Sequence, residues 1–248
     1  ALGIHWSFAP VADVNNNPSN PIINTRSFGA NPTAVAQLTE AAVRGTKAAG
    51  MLTTVKHFPG HGDTDTDSHI ALPVLRADWA RLNAVELVPF RAAIAAGVDV
   101  VMSAHLAIPA LTGDSTLPAT LSPKILGGIL RDSLAFGGLV ATDALDMGAL
   151  VASYGGGEAA VRAFLAGSDL LLMPANPREA IEAMTTAIRS GRINRSRFER
   201  SLIRVLTLKE RQGLFTKRTV SLDRVGDVVG QKAFLDAARS MSRRAFVL

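Results

Sequence analysis

Short, continuously apolar runs alternate along the chain with longer segments whose apolar residues recur every three or four positions. The short runs predict strands, and the periodic segments predict helices. The predicted strands are Ile4–Ala9, Met51–Lys56, Val98–Ser103, Gly138–Thr142 and Asp169–Met173. The predicted helices are Thr33–Ala49, Asp78–Ala96, Pro123–Leu134, Gly157–Ala166, Pro177–Ser190 and Ser196–Gln212. The alternation indicates an α/β protein with a parallel sheet that is buried on both faces.

Two closures of such a sheet fit the pattern, namely an open doubly wound sheet and a (β/α)8 TIM-type barrel. No Gly-x-Gly-x-x-Gly turn follows a predicted strand, which argues against a dinucleotide-binding fold. Polar residues instead follow several different strands: Asp13, Lys56, His57, His105 and Asp143. Barrel enzymes build their active sites from the carboxyl ends of many strands, so the pattern favours the TIM-type barrel.

The visible strands are fewer than the eight of a complete barrel, and the first begins close to residue 1. We therefore expect a barrel that is N-terminally incomplete in this fragment. After Thr219 the pattern changes to a short apolar segment, Val225–Val229, a helical pattern, Gln231–Ser242, and the start of a predicted strand, Arg244–Leu248. The predicted domains are a catalytic barrel over residues 1–218, and a linker with the start of a second α/β domain over residues 219–248.

Composition narrows the functional classes. The chain has 248 residues, of which 48% are hydrophobic and 19% charged, as in an ordinary globular protein. No apolar run reaches the roughly 18 residues that span a bilayer, so no membrane segment is predicted in this fragment. The absence of cysteine excludes disulfides, a thiol nucleophile and a zinc-thiolate site. The cellular compartment stays open.

The net charge is +5, and basic residues are concentrated between Arg192 and Arg218. Such a cluster is typical of a surface that binds nucleic acid or a membrane. It is also typical of the solvated face of an amphipathic helix. We favour the helix, and predict no nucleic-acid partner, because apolar residues at helical spacing supply a core face. These are Ile193, Phe198, Leu202, Val205, Leu206 and Leu208.

Residues 56–70 contain three of the five histidines and three aspartates, in a segment rich in glycine. Dense titratable groups in a loop after a barrel strand are typical of a catalytic loop. Asp67 and His69 are separated by one residue, so a carboxylate can orient the imidazole and form a proton shuttle near neutral pH. The alternative is an aspartate that caps the turn and a histidine on the surface.

A metal site is a second interpretation of this loop, with His57, His61 and His69 joined by Asp65 or Asp67. These ligand types suit zinc or iron, but the spacing matches no common closed site. We therefore predict neither a metal nor another cofactor.

Two further segments bring polar residues to the same end of the barrel. The apolar strand Gly138–Thr142 delivers Asp143, which would be a nucleophile, a metal ligand or the cap of the next helix. Arg26 lies in a loop rich in proline and asparagine, where its guanidinium could bind a polar ligand or form a surface ion pair.

Together these segments resemble glycoside hydrolase family 3, and within it the bacterial β-N-acetylglucosaminidases. The family signature is Lys-His-(Phe/Ser)-Pro-Gly-His-Gly, four spacer residues and Asp-(Ser/Thr)-His, and the chain matches it from Lys56 to His69. The resemblance extends over Phe8–Val14, Arg26–Gly29 and the strand that ends in Asp143, and reaches about residue 218. A sugar-binding aspartate of the family, in an Asp-(Gln/Thr)-Glu-Gly-Gly stretch, is expected to precede residue 1.

The resemblance implies roles for six residues. Asp143 would be the nucleophile, and His69 the general acid/base with Asp67 as its partner. Arg26, Lys56 and His57 would bind the hydroxyls of the terminal sugar. The Asp67–His69 loop is absent from the related β-glucosidases, whose acid/base is a carboxylate elsewhere, so its presence implies an N-acetylglucosaminide as substrate.

The implied activity is retaining, exo-acting hydrolysis of terminal β-linked N-acetylglucosamine from cell-wall or chitin-type glycans. A neutral imidazole does not repel an anionic acceptor, so a phosphorylase is an alternative, as is a broad β-glycosidase of the same family. A metal-dependent barrel hydrolase and a non-catalytic sugar-binding barrel are alternatives of other classes. The spacer Asp63–Thr66 has no apolar anchor, and we expect it to be mobile and to close over the sugar.

Overall fold

A computed structural model gives the structure of the protein and describes residues 2–66 and 71–245. Four parallel strands form one sheet in chain order: β1 Trp6–Ser7, β2 Leu52–Phe58, β3 Val100–Ser103 and β4 Leu139–Ala141. The predicted strand Asp169–Met173 lies beside β4, where Leu170 forms a parallel bridge with Ala141. The order of these strands never reverses, which favours consecutive β/α units of a barrel over a doubly wound sheet.

Helices separate and follow the strands. They are α1 Pro32–Ala48, α2 Trp79–Ala84, α3 Leu87–Ala95, α4 Pro109–Thr112, the π-type helix Lys124–Ser133, α5 Gly148–Tyr154, α6 Gly156–Ala166, α7 Pro177–Arg189, α8 Arg195–Arg211 and α9 Lys232–Ala245. Single 3₁₀ turns occupy Asn24–Arg26, Ala119–Leu121 and Leu222–Arg224. The side chain of Asn31 caps α1 by accepting the Ala34 N–H, and Pro32 begins the helix.

One predicted helix, Asp78–Ala96, is two helices in the structure. The break falls at Val85, between α2 and α3. Pro89 explains it, because a proline ring clashes with the carbonyl four residues earlier and offers no N–H. The break places Glu86 in the interior, where it is 1% exposed.

Two other sequence predictions differ from the structure. The short helix α5 was not predicted, because its residues carry little apolar periodicity beside the glycine run that follows. The apolar end Arg244–Leu248 was expected to begin a strand, but Arg244 and Ala245 still belong to α9. The division into domains at residue 218 stays a prediction.

The sheet is buried on both faces. Val55 of β2 and Val101 of β3 pack with Val43 of α1 and Phe90 of α3 on one side. Val100 points to the other side, where it joins a cluster with Leu139 and Ala141. Val205 and Leu208 of α8 pack against that second cluster, so neighbouring residues of each strand serve opposite layers.

Three arginines of α8 pair with buried carboxylates. Asp169, whose side chain is 0% exposed, pairs with Arg197 and Arg204 of α8 and with Arg131 of the π-type helix. Asp99, whose side chain is 2% exposed, pairs with Arg211 and Lys47. The helix was predicted, but its basic residues were expected on a solvated face, whereas three of its arginines tie α8 to the strands.

Burial dominates the electrostatics of Arg131. It lowers the pKa of the guanidinium to about 10, against the opposing effect of Asp169. Among the described helices, none combines the length and the apolar character needed to cross a bilayer.

We expect Asp169→Asn to lower the free energy of unfolding by about 3 kcal/mol, because removal of one partner leaves buried charges uncompensated. Urea denaturation of the wild type and the variant measures the difference. Glu199→Gln is the matched control, since Glu199 also pairs with an arginine of α8, Arg195, but at an exposed position. That control should cost less than about 1 kcal/mol. Equal losses in the two variants would contradict the internal role of Asp169.

Candidate active site

The site lies at the carboxyl ends of the strands and is organised by Asp13, which is 0% exposed. Its carboxylate accepts the backbone N–H of His61 at 2.7 Å and that of His57 at 3.1 Å. Its second oxygen lies 2.7 Å from Nδ1 of His57. One carboxylate therefore holds both ends of the turn that opens the catalytic loop.

The tautomer of His57 follows from its two neighbours. Nη2 of Arg26 lies 3.4 Å from Nε2 of His57, and a guanidinium can only donate. Nε2 is therefore the acceptor, and Nδ1 carries the hydrogen that is donated to Asp13. The structure thus brings together Arg26 and His57, two of the residues predicted to bind the sugar.

Lys56 and His57 occupy an irregularity in β2. Val55 is opposite Val101 and Phe58 is opposite Ser103, so β2 contains one residue more than β3 between these pairs. Such a bulge interrupts the alternation of side chains between the two faces and re-aims them. The Lys56–His57 peptide bond within it is cis.

Lys56 shares its surroundings with the predicted nucleophile. Burial and the positive charge of Arg26 lower the pKa of Lys56, while Asp143 and Asp13 act to raise it. Arg26 and Asp143 therefore both lie within electrostatic range of Lys56. The ammonium and guanidinium groups are donors that suit the hydroxyls of a polar ligand.

Asp143 follows β4 and is half-buried. One oxygen of its carboxylate accepts the N–H of Ala144 at 2.8 Å, which fixes the carboxylate against its own backbone. The carbonyl of Ala144 lies 2.9 Å from Nε2 of His105. The strand end therefore presents the carboxylate at the same mouth as Lys56 and His57.

Two glycines of the loop are required by close contacts. A Cβ on Gly62 would lie 1.9 Å from the carbonyl oxygen of Val14, and one on Gly60 would lie 2.7 Å from Cβ of Glu86. Gly60 also has a φ of +134°, which favours glycine. The Gly-His-Gly part of the motif thus lets the loop pack directly onto its neighbours.

Polar contacts anchor the first part of the spacer. Asn20 donates to the carbonyls of His61 and Gly62, at 2.8 and 3.1 Å. Thr64 is buried, and its hydroxyl lies 2.7 Å from Nδ1 of His61. The spacer lacks apolar anchors, as the sequence indicated, but it has polar ones, and its mobility stays a prediction.

Arg81 is the charged anchor of the spacer. Its Nη2 lies 3.1 Å from a carboxylate oxygen of Asp63 and 3.1 Å from one of the buried Glu86. Burial raises the pKa of Glu86, and Arg81 opposes that shift. One guanidinium therefore joins the loop to a fixed carboxylate beneath it.

Asp67 and His69, the predicted acid/base pair, lie outside the described residues. Within residues 2–66 and 71–245, no three histidine, aspartate or glutamate side chains are grouped to hold a metal ion. The metal hypothesis also required His69, together with Asp65 or Asp67, so it stays an alternative that elemental analysis can test.

Sequence reasoning placed Asp13 near the site but gave it no role, since its position after a strand was its only signal. Burial and its three bonds reveal that role. His61 was considered only as a metal ligand. It is 2% exposed, burial lowers its pKa against the effect of Asp13, and its Nε2 has no partner in the described chain.

We expect Asp13→Asn to lower the free energy of unfolding by about 3 kcal/mol, because hydrogen bonds to a charged acceptor are strong and the new amide places a donor against other donors. The pH dependence gives a second test. Burial raises the pKa of Asp13, but its attraction to His57 and His61 outweighs burial, so the pKa lies below 3.8. The stabilisation is thus complete well above pH 3.8 and is lost as the pH falls through the lower, folded-state pKa.

Urea denaturation of both proteins at a series of pH values measures this effect. The difference between wild type and Asp13→Asn should be constant from about pH 7 to 5 and shrink below pH 4. A difference that grows as the pH falls would contradict it.

Comparisons with known proteins identify the family of the chain. The glycosyl hydrolase family 3 N-terminal domain matches residues 1–208. Beta-hexosaminidase A of Pseudoalteromonas piscicida is 39% identical over 228 residues, which cover 84% of this chain and 38% of that protein. The structure of a glycoside hydrolase family 3 beta-N-acetylglucosaminidase from Paenibacillus sp. superimposes with a TM-score of 0.91 at 45% identity, covering 97% of this chain and 46% of that one.

A beta-glucoside phosphorylase, BglX, is also similar, with a TM-score of 0.90 and 29% identity over 95% of this chain and 44% of that chain. The chain spans less than half the length of each of these three proteins. Since the family domain covers most of the sequence, the chain belongs to glycosyl hydrolase family 3 and contains its N-terminal, TIM-barrel-like α/β domain.

Proposed function

We propose that the protein is a retaining exo-β-N-acetylglucosaminidase whose nucleophile is Asp143. The observation that carries the proposal is the convergence of Asp143 with Arg26, Lys56 and His57 at one end of the parallel sheet. The similarity to a beta-hexosaminidase and to a beta-N-acetylglucosaminidase supports the substrate class.

The terminal sugar would bind through hydrogen bonds from its hydroxyls. Arg26 and Lys56 supply donors, and Nε2 of His57 would accept a sugar hydroxyl in place of the Arg26 guanidinium, because Asp13 holds the hydrogen on Nδ1. Asp13 thus acts through His57 as a positioning residue. This mixture of donors and acceptors suits hydroxyls, which need both.

The reaction proceeds in two displacements. In the first, an oxygen of Asp143 attacks the anomeric carbon, the bond to the leaving oxygen breaks, and His69 gives its proton to that oxygen. In the second, His69 takes a proton from water, the water oxygen bonds to the anomeric carbon, and Asp143 leaves as a carboxylate. Asp67 would orient His69 and stabilise its charged form.

A phosphorylase is the second candidate, favoured by the similarity to a beta-glucoside phosphorylase. Phosphate would then replace water in the second displacement, with no need for His69 to take a proton from it. A neutral imidazole permits the approach of this anion, whereas a carboxylate base would repel it. The similarity to the same protein also makes a β-glucoside an alternative substrate.

The first experiment compares aryl β-N-acetylglucosaminide with aryl β-glucoside, using the full-length protein and its Asp143→Ala variant. We expect a strong preference for the acetamido sugar and a loss in kcat of at least about a thousandfold in the variant, since the covalent step is removed. The product should first appear as the β-anomer. An initial α-anomer, or full activity of the variant, would contradict the proposal.

The same assay in phosphate buffer separates the two candidates. Formation of N-acetylglucosamine alone supports the hydrolase, and formation of the sugar 1-phosphate supports the phosphorylase. A preference for the glucoside would show that the Asp67–His69 loop does not select the acetamido group.

His69→Ala tests the acid. We expect its kcat/KM to fall by about 10²–10⁴-fold for substrates with poor leaving groups, such as chitobiose, because they need the proton in the transition state. For an aryl glycoside with a good leaving group, the loss in kcat/KM relative to wild type should be much smaller than the loss for chitobiose. His5→Ala is the control, since His5 is the histidine near the start of the chain, away from the loop. Equal losses on both substrates would rule out the role of His69 as acid.

A further inference from the structure

His105 is a buried titratable residue to which the mechanism above gives no role. It follows β3 and is 1% exposed. Its Nε2 lies 2.9 Å from the carbonyl oxygen of Ala144, the residue after Asp143. Its Nδ1 lies 2.8 Å from the hydroxyl of Thr120. The ring thus spans the gap between the end of β3 and the end of β4.

The direction of both hydrogen bonds can be assigned. A carbonyl only accepts, so Nε2 of His105 carries a hydrogen and donates it to Ala144. Burial lowers the pKa of His105, although Asp143 opposes this shift. Burial thus favours the neutral ring, in which Nδ1 has no hydrogen and can accept from the hydroxyl of Thr120.

A chain of hydroxyls holds the ring in place. The hydroxyls of Thr120 and Ser103 are 2.9 Å apart, and Ser103 is the last residue of β3. The Thr120 hydroxyl can also donate to the carbonyl of Ala104, which lies 2.9 Å away and accepts the backbone N–H of Thr120 as well. The imidazole is thereby fixed to β3 on one side and donates to the Asp143 turn on the other.

The backbone around Asp143 is otherwise held from the opposite side. Thr142 donates its N–H to the carbonyl of Leu170, and Leu145 donates to that of Leu172. The carbonyl of Ala144 also receives the N–H of Met147, at 3.3 Å, a longer distance than that to His105. His105 is therefore the side chain that restrains the Ala144 peptide from the β3 side.

We propose that His105 is a positioning residue for Asp143, and that its Nε2–H bond to Ala144 aims the carboxylate at the anomeric carbon. The proposal rests on the proposed function, because it takes Asp143 as the nucleophile. Small errors of placement are costly in catalysis, since a displacement of about 1 Å can reduce a rate about a hundredfold.

The experiment compares His105→Met with His105→Gln in the full-length protein. Methionine fills the space without a donor, whereas the side-chain amide of glutamine can reach the place of Nε2. We expect kcat of His105→Met on an aryl β-N-acetylglucosaminide to fall by about ten- to a hundredfold with KM changed less than about twofold. His105→Gln should recover to within about threefold of wild type.

A second readout separates positioning from acid catalysis. The nucleophile attacks whatever the leaving group, so His105→Met should slow good and poor leaving groups by the same factor, unlike His69→Ala. Thr39→Val is the matched control, because Thr39 is fully buried in α1 and its hydroxyl has no hydrogen-bond partner among the described residues. The control should leave kcat within about twofold of wild type.

The proposal is overturned if methionine and glutamine cause equal losses, or if the effect falls on KM alone. If His105→Met does not fold, His105→Asn replaces it, since the shorter amide keeps the chemistry of glutamine without its reach. Loss of kcat in asparagine but not in glutamine supports the proposal, and equal activity overturns it. Failure of the proposed function is distinguishable, because Asp143→Ala would then remain active.

Discussion

A buried carboxylate, that of Asp13, holds the catalytic end of the structure together. It lies in the segment after β1 and gathers two backbone N–H groups and an imidazole from the end of β2 and the turn that follows it. A buried anion needs hydrogen-bond partners, and here those partners are the backbone of His57 and His61 and the ring of His57, which the site needs in fixed positions. The same interaction therefore satisfies the buried charge and selects the tautomer of His57.

The chain places charge inside the protein at both ends of the sheet. Asp13 and Glu86 lie beneath the loop, while Asp99 and Asp169 bind the cations of α8 and its neighbours. Because Asp99 and Asp169 pair with these cations inside the protein, the basic C-terminal region does not by itself indicate an acidic binding partner. They also make α8 part of the barrel scaffold, although several of its apolar side chains, such as Ile203 at 61%, remain exposed.

Much of the fold was predictable because its signals are local. Apolar runs fixed the strands, and Asn31 with Pro32 fixed the start of α1. Pro89 could also have predicted the break at Val85. The strong apolar periodicity of this segment instead predicted one continuous helix. The short pairing of the strand at Leu170 could not be predicted, because pairing depends on a neighbour far away in the sequence.

The candidate site was predictable in its residue types and less so in its contacts. Lys56 and His57 lie near the carboxyl end of β2 and Asp143 follows β4, so the parallel topology brings them to the same end of the sheet. The roles of Asp13, Asn20 and His105 depend on contacts between segments some 40 residues apart or more, such as the 44 residues between Asp13 and His57. Hydrophobic periodicity and motif spacing do not predict such contacts, which are recognised only from the burial and the interatomic distances of these residues in the structure.

The bulge in β2 has a consequence for how this site tolerates change. Its one extra residue between Val55 and Phe58 sets which way Lys56 and His57 face. Deletion of a single residue there would restore regular alternation and send these neighbours to opposite faces of the sheet. The ligand-binding end therefore depends on a residue count as well as on residue identity, and we infer that β2 accepts conservative substitutions far more readily than it accepts any change in length.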